Sequence, residues 1–225
     1  EVVNKVLSEP IRPHFAIASV GPSFSLQEAH QLITTKLGSQ VPVITNDPSG
    51  IIGRDALSDE FKEIQWEITE EDDDDDADAH VVPPESANRA IMLIVGFLPG
   101  LKVRTIPLLK QMEEPQIVMV DKFVMDIREF STSVSGCKSP AAIVMFSDFQ
   151  AGMKAVMEKL DYAMSPETAI VGDSGCQFQH TQHTDVMEEH ISAAVALVFA
   201  VDRNKPPGIV RIFSCEYIFI SIFAI

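Results

Sequence analysis

Three apolar runs in this chain each end in a turn rich in glycine, and that repeated pattern narrows the folds open to it more than any other feature. Val41-Pro42-Val43-Ile44-Thr45 gives way to Asn46-Asp47-Pro48-Ser49-Gly50-Ile51-Ile52-Gly53, Ile91 to Val95 opens into Gly96-Phe97-Leu98-Pro99-Gly100, and Thr168 to Val171 opens into Gly172-Asp173-Ser174-Gly175. Strand ends that shed side chains let backbone amides approach a ligand or another stretch of backbone closely. A chain patterned this way is organised around loops at strand ends, not around one reactive side chain. The candidate binding residues are therefore Asn46, Ser49, Gly50, Gly53, Gly96, Gly100, Gly172, Asp173 and Ser174, on loops spanning 46–53, 96–100 and 172–177.

The periodicity between these runs alternates in kind. Phe15 to Val20 reads as a buried strand, and Ser25 followed by Glu28 is a capping box for a helix ending at Leu37, with Gly38 placed for a left-handed cap. Val41 to Thr45 follows as a strand, and Ile64 to Ile68 alternates like a half-exposed one. Ala90 to Phe97 and Leu101 to Ile106 read as a hairpin joined through Leu98-Pro99-Gly100, and residues 121–134 as a helix. Ala141 to Phe146 is a continuous buried strand, and Ser147 with Gln150 reads as a second capping box. The spacing Phe149, Met153, Val156, Met157, Leu160, Met164 predicts an amphipathic helix to Ala163 with Met153 and Met157 facing the core, and Pro166 lies just beyond. Thr168 to Val171 and Ser192 to Val201 complete the strands. The expected fold is an α/β layered domain with a mixed β-sheet covered by helices.

Composition closes off several functions. The 225 residues are 46% hydrophobic, ample for a packed core. Acidic residues outnumber basic ones 33 to 17, and the net charge of −16 repels a phosphate backbone, so no nucleic-acid partner is expected. Part of the excess is the run Glu70 to Asp78, read as a disordered, solvated acidic loop at 70–80 rather than a docking tail for a basic partner or a weak divalent-cation site. Cys137, Cys176 and Cys215 are widely spaced and form no CxxC pair, which fits a reducing cytosol or nucleus. The start, Glu1-Val2-Val3-Asn4-Lys5, lacks a signal peptide and reads as a fragment's end. Ile209 to Ile225 is apolar but interrupted by Arg211 and Glu216 and too short to span a bilayer comfortably, so no membrane partner is expected and the tail reads as a strand pair or, the favoured reading, a non-native end.

Reactive constellations are weak. Gly172-Asp173-Ser174-Gly175 carries the GDSG letters of trypsin-like proteases, but Cys176 replaces the next glycine and no Ala-His-Cys segment supplies a base, so the favoured reading is a strand-to-loop turn with Asp173 and Ser174 bonding local amides. Cys176, His180, His183 and His190 invite a zinc site, yet their spacing matches no structural zinc pattern and 177–189 reads as an exposed polar loop. Cys137 sits beside Lys138 without a nearby histidine, which is poor support for a catalytic thiol. No phosphate cradle is present in either glycine-rich turn. We expect a non-enzyme without metal or cofactor. Lys102 and Arg104 alternate on their strand, facing solvent or an acidic partner.

Phe15 to Val20 with Gly21-Pro22, the Ser49 to Gly53 turn, Val95 to Gly100, Ala141 to Ser147 with Asp148, and Ile170-Val171-Gly172 together resemble the N-terminal FIST domain of plant and animal F-box proteins, over residues 15–205. The resemblance implies a layered domain at 15–208, preceded by a linker at 1–14 from a missing F-box region and followed by the apolar tail at 209–225. It implies a substrate-recognition module of a Skp1-cullin-F-box (SCF) ubiquitin ligase, acting in proteasomal degradation in the cytoplasm or nucleus, with a protein substrate as partner. Bacterial relatives imply an alternative, a sensory domain for a small amino acid-like ligand in signal transduction.

Overall fold

The computed structural model describes residues 12–55, 60–66, 90–110, 116–149, 151–181 and 192–205. In chain order its elements are β1 (Phe15–Val20), α1 (Leu26–Leu37), β2 (Val43–Asn46), β3 (Gly50–Arg54), β4 (Phe61–Gln65), β5 (Ile91–Gly96), β6 (Leu101–Leu109), α2 (Gln116–Ser135), β7 (Ala142–Ser147), α3 (Met153–Ala163), β8 (Ala169–Ser174), β9 (Phe178–His180) and β10 (Ser192–Val201). They build two mixed four-stranded sheets, β5-β1-β2-β9 and β6-β10-β7-β8, plus a β3-β4 ribbon. In each large sheet one pair is parallel, β1 with β2 and β7 with β8, and the rest are antiparallel. The α/β expectation holds, with the strands divided between two sheets where one was expected. Among the described residues no helix is long and apolar enough to cross a membrane.

Alternation along the strands explains the layering, because successive side chains leave opposite faces. Ala16 and Ala18 of β1 meet Ile33 of α1 on the outer face, while Phe15 and Ile17 join the core between the sheets. On β10, Val195, Leu197 and Phe199 face that inner core, and Ala194, Ala196, Val198 and Ala200 face α2 and α3. The layers therefore run helix, sheet, sheet, helices. Alanines on the helix-facing sides shorten the sheet-to-helix distance, and larger residues fill the space between sheets, where the Phe15 and Phe199 rings meet edge to face 5.2 Å apart. Burial on both faces is why β10 reads as one unbroken apolar run.

Several local expectations change. The predicted hairpin at Leu98-Pro99-Gly100 is a crossover: β5 pairs with β1 in one sheet and β6 with β10 in the other, and only the tight turn survives, with Leu101 N–H donating to Leu98 O at 3.1 Å. The Ser49 to Gly53 turn is largely strand β3, paired with β4 in register Gly50 to Gln65. Of the strand expected at Ile64 to Ile68, Ile64 and Gln65 belong to β4, which begins at Phe61, Glu67 and Ile68 lie outside the described residues, and α2 begins before residue 121. The Ser147 capping box does not form: Ser147 is the buried last residue of β7, α3 starts at Met153, and its N-cap is Gly152 at φ 56° with no side-chain cap. Phe149 is consequently outside α3 and 87% exposed, and Met157 is exposed rather than core-facing; Gln150 lies outside the described residues. The first capping box does form, Ser25 Oγ accepting from Glu28 N–H at 3.2 Å. Gly38 has the positive φ of 91° that was expected, but with ψ at 150° it lies outside the left-handed helical region. The acidic run, the 1–11 stretch and the apolar tail lie outside the described residues.

Candidate functional site

The structure separates the strand-end residues into two groups at opposite ends of the sheets. β1 and β2 are parallel, so Ser19 and Asn46 finish side by side, whereas Gly96 of the antiparallel β5 sits opposite Phe15 at the start of β1. Five residue steps at ~3.3 Å put the Gly96 to Gly100 turn about 17 Å from that carboxyl end. There the turn is anchored by His14, whose Nδ1 accepts from Leu98 N–H at 3.1 Å and whose ring lies 4.8 Å from that of Phe97. Burial lowers the pKa of His14, opposed by the Leu98 carbonyl and reinforced by Lys205 and Lys102.

At the other end the carboxyl termini of β1, β2, β7 and β8 come together, the place where open α/β sheets usually present their loops. Ser19 Oγ donates to Asn46 Oδ1 at 3.0 Å, both side chains being buried. The Asp47 carboxylate accepts from Gln177 N–H at 2.5 Å, and Asp47 N–H donates to the Gln177 carbonyl at 3.1 Å, clasping the β2 exit to the chain leaving β8. Burial raises the Asp47 pKa against the lowering effect of that hydrogen bond. Ser147 O receives the N–H groups of Gly175, at 2.8 Å, and Cys176, at 3.2 Å. The Pro48-Ser49 corner is held by Trp66, whose indole N–H donates to Pro48 O at 2.5 Å.

The glycines here serve the fold before any ligand. A Cβ on Gly172 would overlap the Met145 carbonyl on the paired strand, and one on Gly96 would overlap the Phe15 ring. Gly172, Asp173 and Ser174 are strand β8, not a turn; the turn comes one residue later, at Gly175 with φ 91°. Ser174 is exposed, and the described histidines bond elsewhere: His30 to Thr45 Oγ1 at 2.9 Å, His180 to Ser192 Oγ at 3.0 Å, His14 to Leu98. Cys176 is buried, and burial together with Asp173 and Asp47 pushes its pKa up to about 11, which keeps the thiol protonated. His180 belongs to β9, so the expected exposed loop is in part a strand paired with β2, while His183 and His190 lie outside the described residues. Among the described residues no three potential ligands gather to hold a metal ion. Cys137 is exposed, its N–H donating to Ser135 Oγ at 3.0 Å.

The strand expected at Thr168 to Val171 is β8, but nothing in that expectation put it at the edge of its sheet. β8 pairs with β7 alone among the described residues, and five of its six residues are exposed. The signal was available in Ala-Ile-Val-Gly-Asp-Ser, whose polar second half suits an exposed strand better than a buried one. Lys102 and Arg104 do project from β6 to an exposed position, Arg104 lying 5.2 Å over the Phe130 ring of α2.

No protein-family model matches the chain. Over 218 residues, 94% of its length, it is 38% identical to an F-box/LRR-repeat protein of Arabidopsis thaliana, and it spans 39% of that protein. The similarity makes this chain a relative of an F-box protein across nearly all of its own length.

Proposed function

We propose that the chain is a recognition module of the FIST type that, within an F-box protein, binds a protein substrate and presents it to an SCF-type ubiquitin ligase for degradation. The observation that carries the reading is the 38% identity to an F-box/LRR-repeat protein over 94% of the chain. A non-enzymatic role is supported by the chemistry of the strand ends, where Ser174 is exposed, the described histidines bond elsewhere and burial holds the Cys176 thiol protonated. The contact surface is the carboxyl end of β1, β2, β7 and β8, with Ser49 and the stretch from Gly172 to Ser174, above the buried Asn46. The setting is the cytosol or nucleus.

The test is affinity purification of the tagged full-length gene product from its own cells. Skp1 and a cullin should be recovered in near-stoichiometric amounts, along with bound proteins that accumulate when the proteasome is inhibited. Recovery of the intact protein without Skp1 overturns the ligase reading.

A further inference from the structure

We infer that the edge of β8 that no strand pairs among the described residues is a docking site for an extended, basic segment of a partner protein, which adds to the second sheet as a further strand. The inference deepens the recognition reading and rests on it. Edge strands expose a row of unpaired N–H and C=O groups, and proteins ordinarily blunt them with lysine, proline or a bulge. β8 has none of these: its sequence is Ala-Ile-Val-Gly-Asp-Ser, and its register with β7 runs unbroken from Ala169 to Ser174. Val171, 60% exposed, is aligned with Val144, and Asp173 with Phe146, so the two lie on one face of the strand.

Charge selects the occupant. Between Lys159 and Arg203 the sequence has no lysine or arginine, while Glu167 precedes the edge and Asp173 lies near its end. The whole chain carries −16, which disfavours a second copy of itself on this edge. Beyond Asp173 the ring of Phe149, 87% exposed, rests against Gly175, a Cβ on which would lie 2.8 Å from it. A carboxylate on an exposed strand face receives a guanidinium or ammonium group well. The fitting segment places an apolar side chain against Val171 and, two residues away on the same face, arginine or lysine at Asp173, its backbone pairing with β8.

The probe is a fluorescent octapeptide in which threonine alternates with valine and arginine, titrated against the full chain and followed by anisotropy. Saturable binding is expected, at least ten-fold weaker for Asp173→Lys, for the peptide with glutamate in place of arginine, and for the peptide N-methylated at alternate amides. The N-methylated peptide keeps its charge and loses strand pairing, so it serves even where the variant does not fold. Absence of saturable binding, or equal affinity for the N-methylated peptide, overturns the inference. So does a wild-type dimer in sedimentation that Asp173→Lys splits, since the occupant is then a second copy. If the peptide fails while the tagged full-length protein still recovers Skp1 and its bound proteins, the edge assignment falls and the recognition reading stands; if the peptide binds but Skp1 is absent, the reverse holds.

Discussion

β8 and β10 belong to the same sheet, one strand apart, and meet water in opposite ways. β10 lies between β6 and β7 with a helix layer on one side and the other sheet on the other, and eight of its ten residues are buried. β8 lies at the margin, and only Ile170 reaches the helix-facing core, as a partly buried neighbour. Backbone pairing is available to both strands, so the difference in what they contribute comes from side-chain burial. A strand sealed on both faces holds the domain together, and β8, joined by one ladder among the described residues, adds little side-chain burial.

The sharpest way to break this comparison is to cut equal amounts of side chain from each strand. Leu197 is fully buried between the sheets, and Leu197→Ala should cost about 2–5 kcal/mol of unfolding free energy. Val171→Ala, on the exposed edge, should stay within about 0.5 kcal/mol. Urea denaturation reads both, and similar losses would show that β8 is sealed like β10.

The next largest effect should come from Gly172→Val. Its Cβ would enter the space of the Met145 carbonyl, and strand β7 cannot retreat because β10 holds its other side. The edge strand must yield, at a cost of about 1–3 kcal/mol. Hydrogen exchange should show faster amides in β8 and unchanged ones in β10; uniform acceleration in both strands would mean the clash is transmitted through the sheet.

Much of this contrast was legible in the sequence, and the missing part has a physical cause. Phe15 to Val20, Ala141 to Phe146 and Ser192 to Val201 declared themselves because burial on two faces demands unbroken apolar runs. The capping box at Ser25 and Glu28 was legible because capping is a local interaction three residues long. The failures were of pairing. Nothing local tells whether strands joined by Leu98-Pro99-Gly100 fold on each other or cross to different sheets; the sealing of β5 against β1 and of β6 against β10 decides it. The same letters that read as a ligand turn at Gly172 are read by the fold as clearance for a neighbouring strand. At Ser147 the capping letters lost to the sheet, since a residue paired with both Ala194 and Ser174 is committed to β7. The loop pattern singled out Asn46 and Asp173 as candidates, whereas the Ser19 to Asn46 bond and the Asp47 clasp join distant segments and left no local trace.

The pH dependence should come from the layer beside β9. Burial, with the neighbouring His180, lowers the pKa of His30 from 6.5 to about 4. An unfolded histidine takes up its proton near 6.5 and the folded one only near 4, so stability is full above about 6.5 and falls as the pH drops through that window. Allowing for the partly exposed ring, the loss is on the order of 1 kcal/mol, about 2–4 °C in Tm. His30→Gln keeps a polar group near Thr45 and should flatten the Tm profile between pH 6.5 and 4. A slope unchanged in the variant would assign it to other groups.

The smallest effect separates two serines at strand ends. Ser19 Oγ is buried and bonded to Asn46 Oδ1, and Ser147 Oγ is buried with no partner among the described residues. Removing the first leaves an acceptor stranded, so Ser19→Ala should cost about 1 kcal/mol. Removing the second takes away a hydroxyl that lost its water on folding, and the carbonyl that holds Gly175 and Cys176 remains in place. Ser147→Ala should therefore lie within a few tenths of a kcal/mol of the wild type or be slightly more stable. A loss as large as that of Ser19→Ala would mean that the Ser147 hydroxyl has a partner in the folded chain, and that the turn leaving β8 is fastened by a side chain as well as by backbone.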